Sequence, residues 1–229
     1  MARFIVADTH FGHFSKETNR GIITFERYQF KTIQEHDLYV SEVIKNIANK
    51  IKPGDEFWHL GDFGDMQYLW LINLINETGA DTHFVLGNHD SAANIYDFNC
   101  YFSYVHQYPV YVSNKLVFSH EPVGTWDSVL NVHGHLHGSV IDKPNYINAS
   151  IHVAGYKPIT DKHIANAYSK MPKWCMRFLY EPFVQDYKFT QPKEDVIMDR
   201  NGKIDVSASR LLMKLNYDNP YKYKGGLDG

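Results

Sequence analysis

Five times along this chain an apolar, strand-like run ends abruptly in a cluster of Gly, Asp, Asn and His. The clearest case is Phe57-Trp58-His59-Leu60, which runs straight into Gly61-Asp62-Phe63-Gly64-Asp65. A buried strand that stops in this way delivers a carboxylate to a sheet edge, and the neighbouring glycines let the backbone crowd a ligand. The same pattern leads from Arg3-to-Ala7 into Asp8-Thr9-His10 and from Thr82-to-Leu86 into Gly87-Asn88-His89-Asp90. It leads again from Leu116-to-Ser119 into His120, and from Val129-to-Val132 into His133-Gly134-His135-Leu136-His137. Open α/β sheets present their ligands at the carboxyl ends of their strands. Carboxylates and imidazoles gathered at one such edge destabilise a core unless a cation compensates them. The chain therefore reads as an α/β protein built around a metal site, with Asp62 as its pivot.

Between these runs the pattern turns helical. Ile33, Val40, Ile44, Ile47 and Ile51 share one face of a helix expected over 31–51, which Pro53-Gly54 terminates. A second helix is expected from Met66 to Thr78, closed by Gly79. Tyr108 to Val112 and Leu116 to Ser119 read as a hairpin turned by Ser113-Asn114, and Tyr146 to Val153 as a last core strand. Residues 91–106 carry no assignable pattern. If the chain stays extended, Asp8 and His10 point to one side, as do His135 and His137 together with His133. His59, inside its strand, reads as a core or supporting histidine.

Composition narrows the partners. A net charge of -3 argues against binding long nucleic acid through phosphate neutralisation. Thirteen histidines, many beside Gly, Asp or Asn, favour metal chemistry. Cys100 and Cys175 form no CxxC pair, Met1-Ala2-Arg3 leads directly into an apolar strand, and no eighteen apolar residues follow one another. A cytoplasmic protein with no membrane span is the expectation. Residues 1–160 are expected to form the catalytic domain. Residues 161–229, rich in Tyr, Lys and Phe with a hairpin-like stretch over 196–206, are expected to form an extension that caps it or covers an edge. The long connection from Phe11 to Phe30 carries His13, Arg20 and Arg27, which suit contact with a substrate phosphate.

Taken in order, Asp8-Thr9-His10, Gly61-Asp62-Phe63-Gly64-Asp65, Gly87-Asn88-His89-Asp90, His120 and Gly134-His135-Leu136-His137 resemble the motifs of the calcineurin-like metallophosphoesterase superfamily. The resemblance spans residues 3 to about 160, and the opening Asp-Thr-His-Phe-Gly-His is similar to that of small bacterial and phage members. It implies a four-layer α/β fold, two mixed sheets packed face to face with helices outside. It implies two divalent metals: Asp62 bridging, Asp8, His10 and His137 completing one set, Asn88, His120 and His135 the other. It also implies a hydroxide shared by the metals as nucleophile, His89 as the acid for the leaving oxygen, and Asp65 as the residue that orients His89, a role for which Asp90 competes. Mixed oxygen and imidazole ligation suits manganese, iron, nickel or zinc better than calcium. Protein serine/threonine phosphatases of the superfamily carry an Arg directly after the position of Asp65, where Met66-Gln67 stands here, and this argues against that activity. The expected function is a phosphodiesterase on a small nucleotide-like substrate. A phosphomonoesterase, a nuclease trimming nucleic-acid ends and a non-catalytic metal-binding scaffold are the alternatives.

Overall fold

A computed structural model of the chain describes residues 1–12, 30 and 32–171. In chain order the elements are β1 (Arg3–Val6), α1 (Ile33–Ala48), β2 (Glu56–His59), α2 (Trp70–Asn76), β3 (Asp81–Val85), α3 (Ile95–Tyr101), β4 (Tyr104–His106), β5 (Val110–Ser113), β6 (Leu116–Ser119), β7 (Leu130–His133), β8 (Tyr146–Asn148), β9 (Ile159–Thr160) and α4 (Asp161–Lys170). One sheet has the order β4-β3-β2-β1-β9, parallel except for β9; the other has the order β5-β6-β7-β8, parallel except for β5. These are the two mixed sheets with flanking helices that the sequence implied.

Alternation along the strands builds two cores. Val6, Phe57 and Phe84 point one way, into helices α1 to α3 through Val40, Ile44, Leu71, Ile72 and Phe98. Ile5, Trp58 and Val85 point the other way, against Phe118, Leu130 and Val132 of the second sheet. Helix α4 adds Ile164 to that second core, and its Asp161 carboxylate accepts from Arg3 at both the backbone and the guanidinium, 2.8 Å each. The expected division after residue 160 falls at the start of this helix, and the extension beyond 171, including the hairpin-like stretch over 196–206 and Cys175, lies outside the described residues.

Several element boundaries move, each for a local reason. Helix α1 starts at Ile33 because Thr32 is extended and its hydroxyl accepts from the Glu35 backbone N–H at 3.1 Å, capping the first turn. It ends at Ala48, and Ile51 packs in the core from beyond the helix. The helix expected over 66–78 is a 3-10 turn, Met66–Tyr68, followed by α2, because Asp65 caps the turn through the Gln67 N–H. The last strand is shorter than expected. After Asn148 the chain leaves the second sheet to pair with the end of β1: Ala7 donates to the Ala149 carbonyl at 3.0 Å and Ile151 donates back to Ala7 at 2.9 Å. That crossing joins the two sheets beside the carboxyl end of β1. Residues 91–106 contain α3 and β4, which pairs with β3 as a parallel edge strand. Among the described residues no helix is long and apolar enough to cross a membrane.

Candidate metal centre

The carboxyl ends of β1, β2, β3, β6 and β7 all open onto one region, and each of the five polar clusters lies there. The expectation that Asp8 with His10, and His135 with His137, share a side through extended backbone is overturned. Asp8, His10, Asp62, His135 and His137 all have φ between 43° and 68°, the left-handed region that non-glycine residues rarely occupy. Only Tyr156 joins them among the described non-glycine residues, so backbone strain is concentrated where the polar side chains converge. Two glycines make room. A Cβ on Gly134 would lie 2.8 Å from Asp8 Oδ2, and one on Gly87 would overlap Asp62 Oδ1.

Two adjoining groups of donor atoms share Asp62. In the first, one potential ligand atom each from Asp8, His10, Asp62 and His137 lie within 4.8 Å of one another. In the second, Asn88 Oδ1 lies 2.7 Å from His120 Nε2 and 2.8 Å from His135 Nδ1. Asp62 Oδ2 stands between the groups, 3.3 Å from His10 Nε2 and 3.4 Å from His120 Nε2. The other Asp62 oxygen accepts the His89 backbone N–H at 2.9 Å, and the Asp8 carboxylate accepts the His135 N–H at 3.0 Å. Each cluster is thereby tied to another.

The donor set fits a cation. His120 Nδ1 donates to the Leu60 carbonyl at 2.8 Å, so in the neutral ring Nε2 carries a lone pair and faces two oxygens, Asn88 Oδ1 and Asp62 Oδ2. Asp62 Oδ2 and His137 Nδ1 are buried with no well-formed hydrogen bond among the described residues. Burial pushes the Asp8 carboxyl up to about 7 against the charge of His120. Burial also works against the charged form of Asp62, but His10 and His120 outweigh it and hold this carboxyl well below the usual range. Despite its burial, His120 is raised to about 9 by Asp62 and Asp8. His135 is lowered to about 4 and His137 to about 3, first by burial and then by neighbouring histidines, which keeps both in the neutral form a metal requires.

The other expected residues separate. His89 is exposed beside the site, its ring edge-on to that of His10 at 5.5 Å. Asp65, expected to orient His89, accepts from Gln67 at both oxygens, 3.0 Å from the backbone N–H and 2.8 Å from the side-chain amide. Asp90 anchors the loop: its carboxylate accepts the backbone N–H of Asp62 and Gly87 at 2.7 Å and of Phe63 at 3.1 Å. Its oxygens are thus committed to the backbone rather than to His89. His133 is buried with Nδ1 donating to the Gly134 carbonyl at 2.8 Å. His59 is buried, as expected. Because the Thr9 hydroxyl donates to the Phe63 carbonyl, His59 Nε2 must donate to Thr9, at 2.9 Å. His13, Arg20 and Arg27 lie outside the described residues.

Sequence reasoning missed a supporting layer. Buried Asp37 on α1 accepts from the Gly12 N–H at 3.0 Å, from the Tyr68 hydroxyl at 2.9 Å and from His36 Nδ1 at 3.1 Å. His36 Nε2 then meets His152 Nε2 at 3.2 Å, and the His152 ring lies 6.2 Å from that of His137. Asn148 holds the His137 loop by donating to the carbonyls of His137 and Ser139. Asp37 falls between Ile33 and Val40 on the apolar stripe of α1, and that position would have marked it as buried. No comparable signal marks Asn148.

The profile of the calcineurin-like phosphoesterase family matches residues 2–202. The chain belongs to this family. Its fold is similar to that of the protein of unknown function AQ665 from Aquifex aeolicus, with a TM-score of 0.52 and 21% identity over 72% of this chain and 98% of that one. No curated protein matches the chain in sequence. Family membership and the convergence of Asp8, His10, Asp62 and His137 make the chain a metal-dependent hydrolase of phosphoesters that uses divalent metals.

Proposed function

We propose that this calcineurin-like phosphoesterase is a binuclear phosphodiesterase acting on a small nucleotide-like substrate. The observation that carries the reading is the pair of donor groups sharing Asp62. Asp62 would be shared by the two sets; Asp8, His10 and His137 would hold one metal, and Asn88, His120 and His135 the other, from manganese, iron, nickel or zinc. Two divalent metals held by these residues would supply an activated water and offset the charge that develops on the phosphoryl oxygens in the transition state. The residues of the chain do the rest. In its neutral, metal-binding form His120 turns its Nε2 lone pair toward the site, because Nδ1 keeps its proton in a hydrogen bond to the Leu60 carbonyl. Asp62 fixes the start of the His89 segment through the His89 N–H. His89, exposed at the rim, holds a proton on its ring and gives it to the leaving oxygen.

Metal-stripped protein given manganese, nickel, zinc or magnesium separately should regain hydrolysis of bis-p-nitrophenyl phosphate in preference to p-nitrophenyl phosphate. Preference for the monoester would overturn the diesterase reading. Silence from folded, metal-loaded protein on both would turn the reading to a scaffold.

A further inference from the structure

Beside the second donor group opens a cleft of about 620 Å³ that the proposed chemistry does not use. Asn88 and His120 of that group are among its lining residues, and Ile95, Tyr108, Pro109, Pro122 and Val123 supply apolar walls. Neither His89 nor His10 lines it. The walls are held in place before any ligand arrives. The buried Asn131 side chain accepts the Val123 N–H at 2.9 Å, and the Val123 carbonyl accepts the Tyr146 hydroxyl at 3.0 Å. On the facing side Asp90 fixes the Gly87 turn. The charged side chains among its described lining residues are the carboxylates of Asp90 and Glu121. A preformed apolar cleft with few polar groups suits a ring-sized, uncharged group, while a further phosphate there would meet the carboxylate of Glu121.

Resting on the diesterase reading, we infer that this cleft is the specificity subsite for the ester group that stays on phosphorus, and that it takes an uncharged planar group such as a nucleobase or aryl ring. The leaving group then lies on the other flank, beside His89. Such a pocket discriminates by buried apolar area, an effect of about 10- to 100-fold for a ring over a methyl group.

The test uses the manganese-loaded full chain and three diesters with the same p-nitrophenyl leaving group, the retained group being methyl, phenyl or 4-carboxyphenyl. The phenyl ester should exceed the methyl ester in kcat/KM by about 10- to 100-fold, and the carboxylate should remove most of that gain. In Val123→Asp, and independently in Ile95→Asp, the phenyl-to-methyl ratio should fall toward one. Equal rates for phenyl and methyl in the native protein, or a ratio unchanged in both variants, would overturn the assignment, and a carboxyphenyl ester better than phenyl would overturn the uncharged class. If no diester turns over, the diesterase reading falls by itself and calorimetry then decides the cleft. Phenyl phosphate binding more tightly than methyl phosphate, with the difference lost in Val123→Asp, upholds it; equal binding overturns it.

Discussion

Two groups of histidines flank the larger sheet, and among the described residues only one of them is gathered around carboxylates that could hold a metal. At the carboxyl ends of β1 and β2, His10 and the incoming His120 and His137 surround the buried carboxylates of Asp8 and Asp62. On β3 and β4, His83 stacks on Trp58 at 3.9 Å and on Tyr104 at 4.7 Å, and its Nδ1 lies 3.3 Å from His106 Nε2. Both groups bring imidazole nitrogens close together. In the first, carboxylates turn the cluster into a cation trap; in the second, aromatic faces turn it into core packing. Burial lowers His83 to about 4 and also lowers His106, so both rings stay neutral. Histidine proximity alone does not make a site, whereas a buried carboxylate with an unsatisfied oxygen beside it does.

The comparison predicts effects of very different size. The largest separates chemistry from metal binding: His89→Ala should keep its metal content and lower kcat by roughly 10² to 10⁴. Steady-state kinetics with metal analysis on the same sample checks this, and unchanged turnover would remove His89 from the mechanism. Next comes stability. Because the metals bind the folded chain alone, chelation should lower the thermal midpoint by roughly 5–10 °C. His83→Gln and His106→Gln should leave that chelator-dependent difference intact, and its loss in either would mean that the stacked pair takes part in binding.

The smallest effect is in acid. Burial holds the folded His83 down to about 4, below its ordinary 6.5, so the unfolded chain should take up its proton first as pH falls. The stabilisation is complete above 6.5 and is lost as pH drops toward 4, about 1 kcal/mol after allowance for partial exposure. Urea midpoints at pH 7 and pH 5 should therefore move closer together in His83→Gln. A gap as large as that of the native protein would show that His83 titrates normally.

The site was legible because its chemistry sits in short motifs at strand ends. Asp8, His10, Asp62, Asn88, His120, His135 and His137 could each be named from an apolar run and the polar cluster after it. What held them together was hidden. The i, i+2 argument assumed extended backbone, but tertiary hydrogen bonds such as Asp8 to the His135 N–H hold these residues at positive φ. Motif position links Asp65 to His89, and the hydrogen bonds that Asp65 accepts from Gln67 within its own turn are not marked by that motif. The run after Tyr146 reads as one strand because its residues suit either sheet, and the switch of partner to Ala7 is a long-range choice that local periodicity does not record.

The central claim is that Asp62 joins two metal sets, and it is tested most directly by counting metal in Asp62→Asn. Metal-stripped native protein, loaded with manganese and freed of excess ion, should carry two ions per chain. The Asn variant, of nearly the same shape but without the bridging charge, should lose both together while remaining folded by circular dichroism. Loss of one ion with the other retained, or two ions retained, would contradict the bridge.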